Sequence, residues 1–133
     1  MTRFLDTSVV LRYLTGIPPN QAVIAETMID QSDALLITGV ALAETAHVLT
    51  SVYQIPRENI VDRLMQFVQK ENIDTYGLDK GYVLQGLFMC RPSGRVSFSD
   101  ALIWAAARSG GGDTIYSFDQ RFPSVGIEVR AVP

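Results

Sequence analysis

A chain of 133 residues fits a single domain, and 47% hydrophobic with 19% charged residues describes a folding globular chain, not a disordered or repetitive one. The net charge of −3, from 11 Lys+Arg against 14 Asp+Glu, excludes a protein that coats nucleic acid through bulk positive charge. A single cysteine, Cys90, and a single histidine, His47, exclude an internal disulfide and a multi-cysteine metal site and leave a histidine-based triad without footing, so catalysis here has to use carboxylates.

Residues 3–5 read as a short strand, stopped by Asp6-Thr7-Ser8 and followed by a helix with Val9, Val10, Tyr13 and Leu14 at helical spacing. Asp6 and Arg12 break the apolar run and no small-residue cleavage pattern follows, so this segment is not read as a signal peptide. No window approaches the roughly 18 apolar residues of a membrane span, and a cytoplasmic protein without membrane contact is expected. After Gly16, Pro18 and Pro19, a second amphipathic helix carries Val23, Ile24, Met28 and Ile29 to about Asp30. Residues 34–38 have the continuous apolar character of a strand buried on both faces. A helix over 39–53 follows, then Pro56 at the first helical position of another, with Ile60, Leu64, Phe67 and Val68 on one face. Residues 73–76 form a third strand, and Asp79 caps a helix over about 79–90 that ends at the loop 91–95. From Ser99 a helix runs through Arg108 until Gly110-Gly111-Gly112 stops it, and strands at 114–117 and 127–129 complete the chain. Trp104, His47 and Cys90 are assigned to packing.

Strands alternating with helices predict an α/β fold: a mostly parallel five-stranded sheet with helices on both faces, a three-layer α/β/α sandwich forming one domain over 1–133. Ligands of such folds collect at the carboxyl ends of the strands. Four carboxylates are placed to use that edge. Asp6 closes the first strand, in a position where it also caps a helix. Glu44 lies in an apolar helix with no Lys or Arg at 40, 41, 47 or 48 to pair with it. Asp100 sits at a helix start beside Ser97, a capping-box position, and Asp119 follows the fourth strand in a turn. If the chain reverses direction after the third strand, Asp6 and Asp119 end neighbouring strands and Asp100 is aimed into the same crevice. Clustered carboxylates repel one another, and a hard divalent cation, Mg²⁺ or Mn²⁺, is the usual resolution.

The segments FLDTSVVLRYL, VALAETAHVL, SFSDALIWAAA and YSFDQRF resemble, in order and over nearly the whole chain, the four acidic motifs of PIN-domain ribonucleases, in particular the VapC-type toxins. The resemblance implies a sheet in the order 3-2-1-4-5 and a metal-dependent endoribonuclease. Asp6, Asp100 and Asp119 would be metal ligands, with Glu44 completing the catalytic set. Ser117 matches a supporting Ser/Thr of the family, and Thr7 or Ser8 would orient Asp6. The chain departs from many relatives at Arg121, where they carry a further acid. The resemblance also implies an RNA substrate, an antitoxin protein and a homodimer. The alternative is a PIN-like module that binds RNA or protein without cutting.

Setting the four acids aside turns the net charge to +1, so a metal-filled crevice can receive a phosphate backbone. Arg12, Arg91, Arg95 and Arg121 are the candidate phosphate contacts, Arg91 and Arg95 from one exposed loop. Ser8 stands where a haloacid-dehalogenase phosphatase needs its second Asp, and Gly110-Gly111-Gly112-Asp113 lacks the P-loop lysine. Leu42, Leu49, Tyr53, Leu64 and Phe67 exceed what one sheet face readily covers, which adds to the expectation of self-association.

Overall fold

Four polar residues, each ending a non-helical stretch, start four of the six helices in the computed structural model, which describes residues 2–133. Asp6 caps α1 (Thr7–Thr15), Thr38 caps α3 (Gly39–Ser51), Asp79 caps α5 (Lys80–Met89) and Ser97 caps α6 (Phe98–Ser109), each side chain accepting a hydrogen bond from a first-turn amide. The other two helices, α2 (Pro19–Gln31) and α4 (Arg57–Val68), begin at prolines. Pro56 precedes α4 as its capping residue, not its first helical residue, because its ψ of 142° is extended. α6 likewise starts at Phe98, one residue before the expected Ser99, with the Ser97 hydroxyl accepting from the Asp100 amide at 3.0 Å.

Strands β1 (Leu35–Ile37) and β2 (Ile73–Thr75) pair in parallel, Leu35 opposite Ile73 and Ile37 opposite Thr75. Phe4 adds a parallel bridge to Leu36, with the Leu5 amide donating to the Leu36 carbonyl and the Leu36 amide to the Arg3 carbonyl, both at 2.9 Å. A second parallel pair joins β3 (Thr114–Tyr116) to β4 (Glu128–Arg130). The fold is therefore α/β, and it shows the third-second-first and fourth-fifth neighbours of the expected order. No strand ladder joins the first strand to the fourth among the described residues, so two short pairs stand where a five-stranded sheet was expected. With Asp6 already capping α1, the first strand has room for one bridge only. The last strand starts a residue late because Ile127 is drawn into a turn, its amide donating to the Ser124 carbonyl, and its side chain is buried.

Helix faces close over the first pair. Leu42, Leu49, Leu64 and Phe67 all lie in the core, so the surplus of apolar surface read from them is consumed within one copy of the chain. Each such burial contributes about 1.5–3 kcal/mol. α5 and α6 approach closely at Gly86, where a Cβ would stand 2.9 Å from the Ala101 carbonyl oxygen. Trp104, fully buried, meets Tyr82 edge-on at 5.9 Å and donates from Nε1 to the Val125 carbonyl at 2.8 Å. Arg108 lies over Tyr82 at 4.7 Å and donates to the same carbonyl at 3.0 Å. The next residue, Gly126, has φ +67°, and a Cβ there would strike the Arg108 guanidinium.

Candidate functional site

Phe4, β1 and β2 run parallel, so the residues that follow them, Asp6, Thr38 and Asp79, share one edge of the molecule. This is the carboxyl-end edge at which α/β folds bind ligands. Asp6 Oδ2 accepts from the Ser8 hydroxyl at 2.6 Å and the Ser8 amide at 3.2 Å. Those two bonds, the hydroxyl first, hold its carboxyl below the ordinary 3.8. Ser8 thus takes the orienting role considered for it, while Thr7 is buried beside it.

Glu44 is exposed on α3, which packs against both α1 and α6. His47, one turn along, is exposed as well, so its assignment to packing is corrected: positions 40, 44 and 47 form the outward stripe of α3, and Val40 on it is 79% exposed. Cys90 and Trp104 are buried as expected. Burial pushes the Cys90 thiol up to about 11, so it is protonated and unreactive at neutral pH.

Asp100, half-buried, occupies the first turn of α6. A cavity of about 380 Å³ lined by Thr38, Gly39 and Val40 on one side and Ser99, Leu102 and Ile103 on the other shows that α3 and α6 start side by side. Arg57 reinforces this placement. Its Nη1 donates to the Cys90 and Val96 carbonyls at 3.0 and 3.1 Å, and its guanidinium lies 4.8 Å over the Phe98 ring. Sequence reasoning passed over Arg57 because its targets are backbone carbonyls more than thirty residues away, which leave no local signal.

Asp119 is fixed from both sides. Its amide donates to Ser117 Oγ at 3.0 Å, and its carboxylate receives the Arg121 amide at 2.9 Å and the guanidinium at 3.2 and 3.4 Å. Arg121 holds this carboxyl below the ordinary 3.8, and the same guanidinium also senses the charge of Asp100. The position where relatives carry a further acid therefore supplies an internal cation.

The structure pairs Asp119 with the Arg121 guanidinium, sets Asp100 in the first turn of α6 and leaves Asp6 at the carboxyl-end edge. It does not close the four acids into a cage: among the described residues, no group of three or more His, Cys, Asp or Glu stands close enough to hold a metal ion. In kind the donors fit a hard divalent cation, being all carboxylate oxygens. In geometry, Arg121 occupies both oxygens of Asp119.

Among the candidate phosphate contacts, Arg12 donates to Gln21 at 2.8 Å, and Arg95 extends from an exposed loop. Arg91 turns away to form a two-pronged pair with Asp62 at 2.9 and 3.1 Å. Arg95, on the same loop, makes no such side-chain pair among the described residues. Phe118, wedged between Ser117 and Asp119, is 90% exposed, a feature that an aromatic residue inside a polar turn already signals.

Carboxylates at strand ends and helix starts of an α/β chain stand where such folds bind ligands. A family model for the PIN domain matches residues 3–128, and the chain belongs to that family. PIN domains are generally nucleases and generally use divalent metal ions. No curated protein matches the chain. Among the described residues no helix is long and apolar enough to cross a membrane.

Proposed function

We propose that the chain is a Mg²⁺- or Mn²⁺-dependent endoribonuclease that hydrolyses RNA phosphodiester bonds, and that it is the toxin of a toxin–antitoxin pair. The observation that carries this reading is the placement of Asp6, Asp100 and Asp119 at a strand end, a helix start and a turn of a PIN domain. Asp6, Asp100 and Asp119 would hold the ion, with Glu44 completing the acidic set. When bound, such an ion polarises a phosphoryl oxygen and acidifies water.

The chain's own groups prepare the site. Ser8 keeps Asp6 ionised and aimed, while Ser117 pins the backbone of Asp119. Arg121 neutralises part of the acidic charge, and Asp119 would hold the ion only with its oxygens free of that guanidinium, which would then be available to a phosphate. With Leu42, Leu49, Leu64 and Phe67 in the core, the proposed antitoxin and second copy would have to use exposed apolar residues, such as Val23, Ile24 and Met28 of α2.

A cleavage assay on unstructured RNA tests the proposal. Cutting that needs Mg²⁺ or Mn²⁺, stops with EDTA and disappears in Asp119→Asn supports it; metal-independent cutting, or none, overturns it. The Arg121–Asp119 pair favours one second reading, a non-cleaving module that binds RNA or protein, because it satisfies an acid that turnover needs free. Metal-loaded protein that binds RNA without cutting it selects that reading.

A further inference from the structure

A phenyl ring 90% open to water, one residue before a candidate catalytic acid, is an expensive feature for a small domain to keep. Its backbone is also held still. The Ser117 amide donates to the Arg130 carbonyl at 2.9 Å, the Asp119 amide to Ser117 Oγ at 3.0 Å, and the Phe122 amide to the Asp119 carbonyl at 3.1 Å. The backbone on both sides of Phe118 is therefore anchored, and little ordering entropy remains to be lost when something covers the ring.

The ring borders a cavity of about 400 Å³ that is also lined by Ser117, Asp119, Gln120, Phe122 and Ser124. Two aromatic walls, an amide, two hydroxyls and a carboxylate suit a flat, neutral, heteroaromatic group with polar edges. A phosphate would meet no cation among the lining groups, and an aliphatic side chain would leave the polar wall without partners. The volume lies within the range of small-ligand pockets.

We propose that Phe118 and Gln120 form a receptor for one unpaired nucleobase beside the scissile phosphate, in which the base stacks on Phe118 while its edge meets Gln120. This rests on the nuclease reading above. Stacking needs an open base face, which a duplex does not present.

The test measures binding of short single-stranded RNA in EDTA at fixed salt, where no hydrolysis occurs. Phe118→Ala is expected to weaken binding about 5- to 100-fold, the range of one lost base stack, and to leave binding of a base-free sugar-phosphate strand and of duplex unchanged. Phe118→Trp should retain affinity, and its exposed indole should be quenched by the RNA strand but not by the base-free one; the only native tryptophan, Trp104, is fully buried. Phe88→Ala, which removes another open phenyl ring outside this cavity, should change nothing. Equal affinity of Phe118→Ala and wild type, an unquenched indole, or a shift from dimer to monomer in Phe118→Ala on sedimentation would each overturn the proposal, the last by showing that a second copy covers the ring. Wild-type cleavage of the same RNA in Mn²⁺ separates the two readings. RNA that is cut without Phe118 dependence removes the base receptor and spares the nuclease, and RNA that quenches the indole but is never cut does the reverse.

Discussion

In β1 and β2, four of the six side chains, Leu35, Ile37, Ile73 and Thr75, are buried; in β3 and β4 none is. Both pairs are three-residue parallel ladders, so backbone pairing does not separate them. What separates them is cover. α1, α3 and α4 put Val10, Leu42, Leu49 and Leu64 into the core around the first pair, whereas the second meets α6 and is followed by a turn carrying Asp119 and an open ring. The sealed pair forms core, and the open pair carries the groups proposed to meet ligand. The joint between them is the Val125 carbonyl, which receives both Trp104 and Arg108.

The strongest way to break this division is to cut the joint from the sealed side. Trp104→Ala is expected to cost about 3–5 kcal/mol, read from urea unfolding, because it removes a fully buried indole and leaves a carbonyl short of a donor. A loss below about 1 kcal/mol would show that α6 and the β4 side are not coupled through this residue.

Asp6→Asn sharpens the contrast from the other direction. Asn caps a helix about as well as Asp, so the melting temperature should stay put while RNA cleavage falls by about 100-fold or more. A variant that melts early and still cuts would make Asp6 structural.

Arg121→Ala probes the open side. Freeing both oxygens of Asp119 should tighten Mn²⁺ binding severalfold by titration calorimetry, a modest gain because the ion pair is exposed. Weaker Mn²⁺ binding in that variant would place the ion elsewhere.

Acid unfolding gives a smaller effect. The carboxyl of Asp6 is depressed by Ser8, so its contribution is present above the ordinary 3.8 and is lost as pH falls through the lower folded value. Ser8→Ala and wild type should therefore differ in stability at neutral pH and converge at strongly acid pH. The smallest effect expected is none: native Cys90, buried and protonated, should resist a thiol reagent that labels it promptly in urea.

Helices were the most readable part of this chain, because a cap and an apolar period are local. Asp6, Asp79 and the Ser97–Asp100 bond were all placed from neighbouring letters. Contacts between distant segments were not. Nothing near Arg91 announces Asp62, and nothing near Arg57 announces the carbonyls it holds. His47 and Leu42 show a subtler difficulty: a helix as apolar as α3 presents little contrast between its faces, so its sequence does not tell which residues point outward. The helix and turn positions of the four acids follow from local signals, but their expected meeting in one site does not, since among the described residues no three acids gather, and Arg121, known from sequence only as a departure, sits on Asp119.

Val125 and Gly126 are adjacent, and they should behave as opposites under random substitution. The fold uses only the carbonyl of Val125, whose side chain is half open, so many side chains are expected to be accepted there. At Gly126 the positive φ and the Arg108 guanidinium leave no room for a Cβ, and displacing that guanidinium would also disturb its stacking on Tyr82. A saturation library sorted for folded protein should therefore return a broad mixture at one codon and almost pure glycine at the next.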